Sequence, residues 1–486
     1  MYGRALVKSI RTLILMRCHA SSVLTGILLS GLVSGCYTPP AIDQYQASRA
    51  AYVPGIPSFD METVPSVPGE PSGLDLHLSV PSTSLTFEKV GERFRAMSEV
   101  RVDLLNAKDQ TFVLERTWRD TMVVSSYRET QRHEPFLFRR RLDLPPGDYS
   151  VDVTFENLSS EKTTVRRQTV GIPDSAALLP HMGKILVRAR TDRGSFLPVV
   201  PFFAPVGLDS LECAVKLVNL NPASASTATL DLVRYRSDTA PASPPMALTI
   251  QDLPLGYGMV SFESPDTAEA ATRPITGTKA ATLAISLRGL PLGNYKAAFQ
   301  VSTPVDGPEP HDTLLRAERF ISIGGPAFPR PSTLTELIEA MVYIARRDEM
   351  VLLREAPTPE IARTRFDSLW LTFRSDKSEA AKLINQYYSR VEEANQRFSS
   401  TKEGWRTDQG MVYIILGPPV DVMNTKDRQV WYYDLRGDDA VNVYTFQRRF
   451  FTDGLVSIAS YTLFRQPYYE AFWIRMVEKW RSGEVF

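Results

Sequence analysis

A single turn, written twice, limits what this chain can fold into. Leu144-Pro145-Pro146-Gly147-Asp148-Tyr149 recurs as Leu290-Pro291-Leu292-Gly293-Asn294-Tyr295. In each copy Pro and Gly set a tight turn and the Tyr opens a strand. Tyr149, Val151, Val153 and Phe155 then align with Tyr295, Ala297, Phe299 and Val301. Each copy closes with another strand and a Gly before Pro, in Gly171-Ile172-Pro173 and Gly324-Gly325-Pro326. The same alternation runs through Leu74, Leu76, Leu78 and Val80, and again from Phe94 to Leu104. Period two without an intervening helical period predicts half-buried antiparallel strands. Short strands between turns predict two β-sandwiches, over 73–172 and 173–326. The second carries looser Ala/Ser/Pro-rich insertions near 221–228 and 238–246.

The repeated turn is similar to one near the penultimate strand of many extracellular immunoglobulin-like modules. That resemblance implies immunoglobulin-like sandwiches, which serve as binding or spacer modules more often than as catalysts. The 55 basic residues balance 55 acidic ones, which argues against a dedicated nucleic-acid binder. For the same reason Arg139-Arg140-Arg141 reads as a solvated edge that discourages strand pairing, rather than as an anionic contact surface. Three cysteines exclude a disulfide framework. Cys213, in the alternating run Leu211 to Val215, reads as a buried, inert thiol.

The N-terminus reads as an address. Arg4, Lys8, Arg11 and Arg17 precede an apolar stretch from Val23 to Val33, which ends in Val33-Ser34-Gly35-Cys36. A basic start, a short apolar run and small residues before a cut site describe a secretory signal, here residues 1–35. The segment from Met16 to Cys36 is a complete compact signal by itself. The cysteine after Val-Ser-Gly resembles the lipobox of bacterial lipoproteins. That resemblance implies cleavage before Cys36, a diacylglycerol on its sulfur and an acylated amine, hence a membrane partner through lipid. Tyr rather than Asp at position 37 fits outer-membrane sorting. Residues 36–72, rich in Pro and without a sustained period, read as a tether.

Beyond Pro331 the period changes. Thr333 with Glu336 predicts a capping box ahead of Leu334, Leu337, Ile338, Met341 and Ile344. A second helix starts at Thr358-Pro359 and carries Phe366, Leu369, Trp370 and Phe373. A third, capped by Asp376, presents Leu383, Ile384, Tyr387, Val391, Ala394 and Phe398. Met411 to Leu416 reads as a strand buried on both faces and ended by Gly417-Pro418-Pro419. Three further strands are expected over 429–434, 441–447 and 455–461, and a last amphipathic helix from Pro467. Residues 327–486 thus read as a helical segment plus an α+β domain, with helices packed on a small antiparallel sheet.

The run Gly404-Trp405-Arg406-Thr407-Asp408, followed by Gly410-Met411-Val412-Tyr413-Ile414 and Gly417-Pro418-Pro419, resembles the GWxTD domain family of bacterial envelope proteins. Tyr387-Tyr388-Ser389-Arg390-Val391 with Asn395 and Phe398 is similar to the family pattern upstream. The resemblance is most specific over 380–440 and brings no established activity with it. The residues themselves suggest a corner joining helix to sheet. Gly404 permits a sharp turn, and Trp405 is an anchor that needs a partner for its indole N–H. Thr407 and Asp408 are expected to close an Asx-type turn, with Gly410 in an unusual dihedral. The competing reading makes this a ligand site, with Asp408 as acid or base and Trp405 as an aromatic platform. The string lacks a nearby His, Cys or second carboxylate, so the corner is favoured.

Catalytic templates fail elsewhere: zincin, P-loop, paired Cys and nucleophile-elbow motifs are missing, and the five histidines are scattered. No cofactor, metal or nucleic acid is expected. Ser159/Lys162 and Ser399/Lys402 fit a Ser-x-x-Lys spacing and read as exposed loop residues. Asp438-Asp439 reads as a hairpin turn. The expectation is a noncatalytic cell-envelope lipoprotein that binds an envelope protein or surface polymer. The alternative is a glycan- or peptidoglycan-acting hydrolase using Asp408.

Overall fold

A computed structural model describes residue 57 and residues 59–485, apart from 131–134, 191–195, 199–202, 206–210, 222–225, 247–259, 276–278, 287–289, 304–311, 325–327, 426, 435–441 and 454–455. The signal, Cys36, most of the tether and Asp438-Asp439 lie outside the described residues.

The first sandwich consists, in chain order, of β1 (Asp60–Pro65), β2 (Gly73–Pro81), β3 (Glu88–Val90), β4 (Arg93–Asn106), β5 (Phe112–Val124), a helical turn α1 (Tyr127–Thr130), β6 (Pro135–Asp143), β7 (Gly147–Asn157) and β8 (Lys162–Ile172). One sheet has the order β1-β2-β6; the other has β3-β4-β7-β8, with β5 paired to β4. Every pairing in it is antiparallel. The expected alternation holds: Leu74, Leu76, Leu78 and Val80 are buried against Val100, Val102 and Leu104 and against Val151, Val153 and Phe155. The tether is shorter than expected. Asp60 to Pro65 pairs with Leu74 to Ser79, because Met61 and Thr63 complete the buried face of the sheet.

The second sandwich contains β9 (His181–Met182), β10 (Leu186–Arg190), β11 (Phe196–Pro198), β12 (Phe203–Pro205), β13 (Leu211–Val218), β14 (Ser226–Ser237), β15 (Val260–Ile275), β16 (Ala280–Ser286), β17 (Gly293–Thr303) and β18 (Asp312–Gly324). Its sheets are β11-β10-β13-β16, with β9 on β13, and β12-β18-β17-β14-β15. The repeated turn does the same work in both sandwiches. Gly147 and Gly293 adopt φ of +152° and +151°, a conformation that L side chains rarely take. The Tyr149 hydroxyl then donates to the Pro145 carbonyl at 2.9 Å and that of Tyr295 to the Pro291 carbonyl at 2.7 Å. This is the tyrosine corner of immunoglobulin-like sandwiches, built here on β7 and β17. Cys213 is enclosed, and burial pushes its thiol pKa up to about 12, as an inert core thiol requires.

The sandwiches meet through a buried carboxylate. Glu62 on β1 accepts from Arg319 on β18 at 2.5 and 3.1 Å and lies 3.3 Å from Lys184.

The C-terminal unit comprises α2 (Leu334–Ala340), α3 (Arg347–Arg354), α4 (Pro359–Phe373), α5 (Lys377–Phe398), α6 (Asp408–Leu416), β19 (Asp421–Asn424), β20 (Arg428–Tyr432), β21 (Val443–Asp453), β22 (Val456–Leu463) and α7 (Glu470–Arg481). The strands form one antiparallel sheet in chain order. The caps fall where the sequence placed them. Thr333 and Glu336 form a capping box, and Thr358 and Asp376 accept from Ile361 and Glu379 backbone N–H groups.

Met411 to Leu416 is the principal correction: it is helix α6, not a strand. A continuous apolar run suits a helix buried on every side as well as a buried strand. Here Thr407 caps the run, Gly417 at φ +82° ends it, and all its residues but Leu416 are buried.

Tyr295→Phe removes one buried hydrogen bond and keeps the ring. We expect a loss of about 1 kcal/mol in urea unfolding. An unchanged midpoint would show that the repeated turn does not depend on the phenolic bond.

Candidate functional site

The Gly-Trp-x-Thr-Asp string forms a closed corner between α5 and α6. Residues 404–406 make one 3-10 turn packed against α5. A Cβ on Gly404 would stand 1.9 Å from the Ala394 carbonyl oxygen, and one on Gly410 the same distance from that of Gly404. Both glycines are therefore required by backbone approach. Gly410 lies within α6 and lacks the unusual dihedral expected of it.

Thr407 is the N-cap of α6. Its hydroxyl accepts from the Gly410 N–H at 3.0 Å and donates to the Gly404 carbonyl at 2.7 Å. Trp405 is buried, and its indole N–H donates to Glu403 at 3.0 Å. The same Glu403 oxygen accepts from Arg406, whose guanidinium lies 4.2 Å from the centre of the indole ring. The Trp405 backbone N–H donates to Asn395 and its carbonyl accepts from the Tyr343 hydroxyl. The indole is thus an internal pillar.

Asp408, the first residue of α6, closes no local turn. Its carboxylate accepts from the Leu463 N–H at 2.7 Å and from both terminal nitrogens of Arg465, at 2.5 and 3.1 Å. The Asp408 and Arg465 side chains are 2% and 0% exposed. A carboxylate at a helix N-terminus also faces the positive end of the helix dipole. Both side chains are closed to water.

The upstream family-like residues serve the same corner. Tyr387 and Tyr388 donate to the carbonyls of Ala340 and Leu337. Arg390 donates to the Ile414 carbonyl at the end of α6 and lies over the Trp480 ring. Asn395 also donates to Pro329, and Phe398 packs on Tyr413 and Trp431. Gly417 accepts from the Tyr433 hydroxyl, and Pro418 follows it half-buried.

The corner is bound to the second sandwich. The segment 238–246, expected to be a loose insertion, is a strap across it. Lys402 bonds Asp238 at 2.9 Å and Ala240 at 3.0 Å, Arg406 bonds Thr239, and Arg465 bonds Ser243. Ala242 enters the C-terminal core. Asn294 and Ser322, on β17 and β18, donate to the carbonyls of Thr401 and Ser400. Ser399 and Lys402 are consequently buried rather than exposed, and Ser399 accepts from the Gly404 N–H. Sequence reasoning missed Arg465 and Glu403. Arg465 has no local signature, since Asp408 folds onto it from far upstream; Glu403 pairs locally with Trp405 and Arg406, so its i,i+3 spacing from Arg406 was a usable signal. The remaining sequence candidates are not brought to this corner: Ser159 and Lys162 flank the β7–β8 turn, and Cys213 lies in the sandwich core. Among the described residues no group of three or more His, Cys, Asp or Glu could hold a metal.

Gly404→Ala is expected to cost at least about 3 kcal/mol, because backbone blocks the new methyl. Asp408→Asn is expected to cost about 3–5 kcal/mol, because it leaves Arg465 charged and buried. Urea unfolding of both variants checks these values. Near-wild-type stability of either would contradict the closed corner.

No curated protein matches the chain. Among solved structures, red sea bream transglutaminase is similar at 10% identity and a TM-score of 0.17, over 55% of this chain and 31% of that one. E. coli alpha-2-macroglobulin is similar in its native conformation (11% identity, TM-score 0.18, 56% of this chain and 16% of that one). Its trypsin-activated form gives 10%, 0.16, 56% and 17%. This chain spans less than a third of the length of each. Residues 311–482 match the GWxTD domain, a wider span than the motif-rich 380–440. The match begins one residue ahead of β18, so it includes that strand and Ser322, one of the groups onto which the corner is fastened. Residues 311–482 of this chain are a GWxTD domain.

Proposed function

We propose that this protein is a noncatalytic cell-envelope lipoprotein, lipid-anchored at Cys36, whose sandwiches and GWxTD domain form a docking scaffold for an envelope protein or surface polymer. The observation that carries the noncatalytic part is the state of Asp408. A general acid or base must reach a substrate proton. Asp408 is enclosed and its oxygens are committed to Arg465 and the Leu463 N–H. That geometry favours a structural role over a hydrolase centred on Asp408. Two sandwiches ahead of the domain supply broad surfaces, and the basic–apolar–small–Cys pattern supports secretion and acylation, with outer-membrane sorting favoured by Tyr37. No helix among the described residues is long and apolar enough to cross a membrane.

The test is fractionation of cells producing the full chain, with mass analysis of the N-terminal peptide. Wild type is expected in the membrane fraction with a diacylglyceryl group on Cys36, and Cys36→Ser is expected to leave that fraction. Crosslinking in intact envelopes should then recover a stoichiometric partner. An unprocessed N-terminus without acyl chains would overturn the anchoring. Glycan hydrolysis abolished by Asp408→Asn in a variant that remains folded would overturn the noncatalytic reading.

A further inference from the structure

A cleft of about 500 Å³ lies between the sandwiches, with the outer face of β1-β2-β6 on one side and β10, β13 and the residues after β9 on the other. Such volumes are ordinary for small-molecule sites. Strand register explains its chemistry. Glu62, His77 and Arg139 form one cross-strand row, and Val64, Asp75 and Arg141 the row beside it. Alternation therefore divides the three-arginine run. Arg139 and Arg141 line the cleft, while Arg140 bonds Asp120 and lies over Trp118. The run is an edge strand, as expected, but two of its three cations face this concavity.

The cleft carries a positive surplus. Glu212 pairs with Arg188, and Lys184 shares Glu62 with Arg319. That leaves Arg139, Arg141 and Lys216 against Asp75 and Glu70. Asp75 is shared, at 3.1 Å from Arg139 and 3.8 Å from Arg141. Asp143 approaches Arg141 at 3.6 Å, but it is 88% exposed and screened by water. Lys216 pairs with Glu70 at 2.6 Å. Arg139 remains 69% exposed and spends one nitrogen on Asp75, so its other donors are open to a ligand. The half-buried His77 imidazole forms no hydrogen bond with any described residue and can donate one. Leu137, half exposed, and Leu186 add apolar surface.

We propose that this cleft binds a small organic anion, a carboxylate or phosphate ester, through Arg139, Lys216 and His77, with the body of the ligand resting on Leu137 and Leu186. The site depends neither on the lipid anchor nor on the Trp405 corner. Guanidinium groups are well matched to both acids.

Titration calorimetry of the full chain with glucuronate, glucose 1-phosphate and glucose tests this. At least one charged probe should bind saturably with a Kd below about 1 mM, and glucose should not. Glucuronate alone would mark a carboxylate site, and glucose 1-phosphate alone a phosphate-ester site. Arg139→Gln should weaken binding at least about tenfold. Arg119→Gln, an exposed arginine paired with Glu99 on another sheet, should leave it unchanged. Three results would overturn the proposal: no saturable binding of either charged probe, equal binding of glucose, or undiminished binding by Arg139→Gln with its melting temperature retained.

Discussion

The enclosed ion pair between Asp408 and Arg465 ties together three parts of the chain that have no local reason to meet. Its carboxylate sits at the first turn of α6 and holds the Leu463 N–H at the end of β22. Its guanidinium continues to the Ser243 carbonyl in the strap from the second sandwich. Removing two such charges from water costs several kcal/mol each, and only full pairing with further hydrogen bonds offsets it. A pair of this kind specifies one arrangement sharply, because any displacement leaves a charge stranded.

Around that pair the motif is a packing solution at the level of the backbone. Gly404 lets one turn lie against α5, and Gly410 lets α6 lie against that turn. Trp405 fills the space beside Tyr343, and Thr407 satisfies both a free helix N–H and a carbonyl. Each residue type answers a separate demand: absent side chain, large anchor, cap, buried anion. In this chain the Gly-Trp-x-Thr-Asp string is a fold junction whose residues are engaged with α5, α6 and the end of β22. The detected domain starts inside the second sandwich, which accords with a unit that includes part of its own docking surface.

Much of this was legible in the residues. Period-two runs and the repeated Pro-Gly-Tyr turn marked both sandwiches, and the caps at Thr333, Thr358 and Asp376 marked their helices. These signals are local: a tyrosine corner closes over four residues and a capping box over three. The failures share the opposite property. Met411 to Leu416 could be helix or strand until its surroundings enclosed it. The strap at 238–246 resembles a loop by composition, and residues distant in sequence, Tyr343, Lys402, Arg406, Arg465 and Gln466 among them, make it ordered structure. The acidic partner of Arg465 lies far upstream, so no spacing rule could pair them. Alternation along β6 did contain the division of the arginine run, but its meaning required knowing which face looks onto the second sandwich.

The motif is consumed by the junction, so in the proposed scaffold the surfaces offered to other molecules are those of the sandwiches and the cleft between them. The central claim is that the Asp408–Arg465 pair fastens the GWxTD domain to the second sandwich. Hydrogen–deuterium exchange over 238–246, compared between wild type and Asp408→Asn at a denaturant-free pH where both remain folded, tests it most directly. The account predicts that this segment loses protection in the variant while the β7–β8 hairpin keeps it; equal protection of 238–246 in both proteins would contradict it.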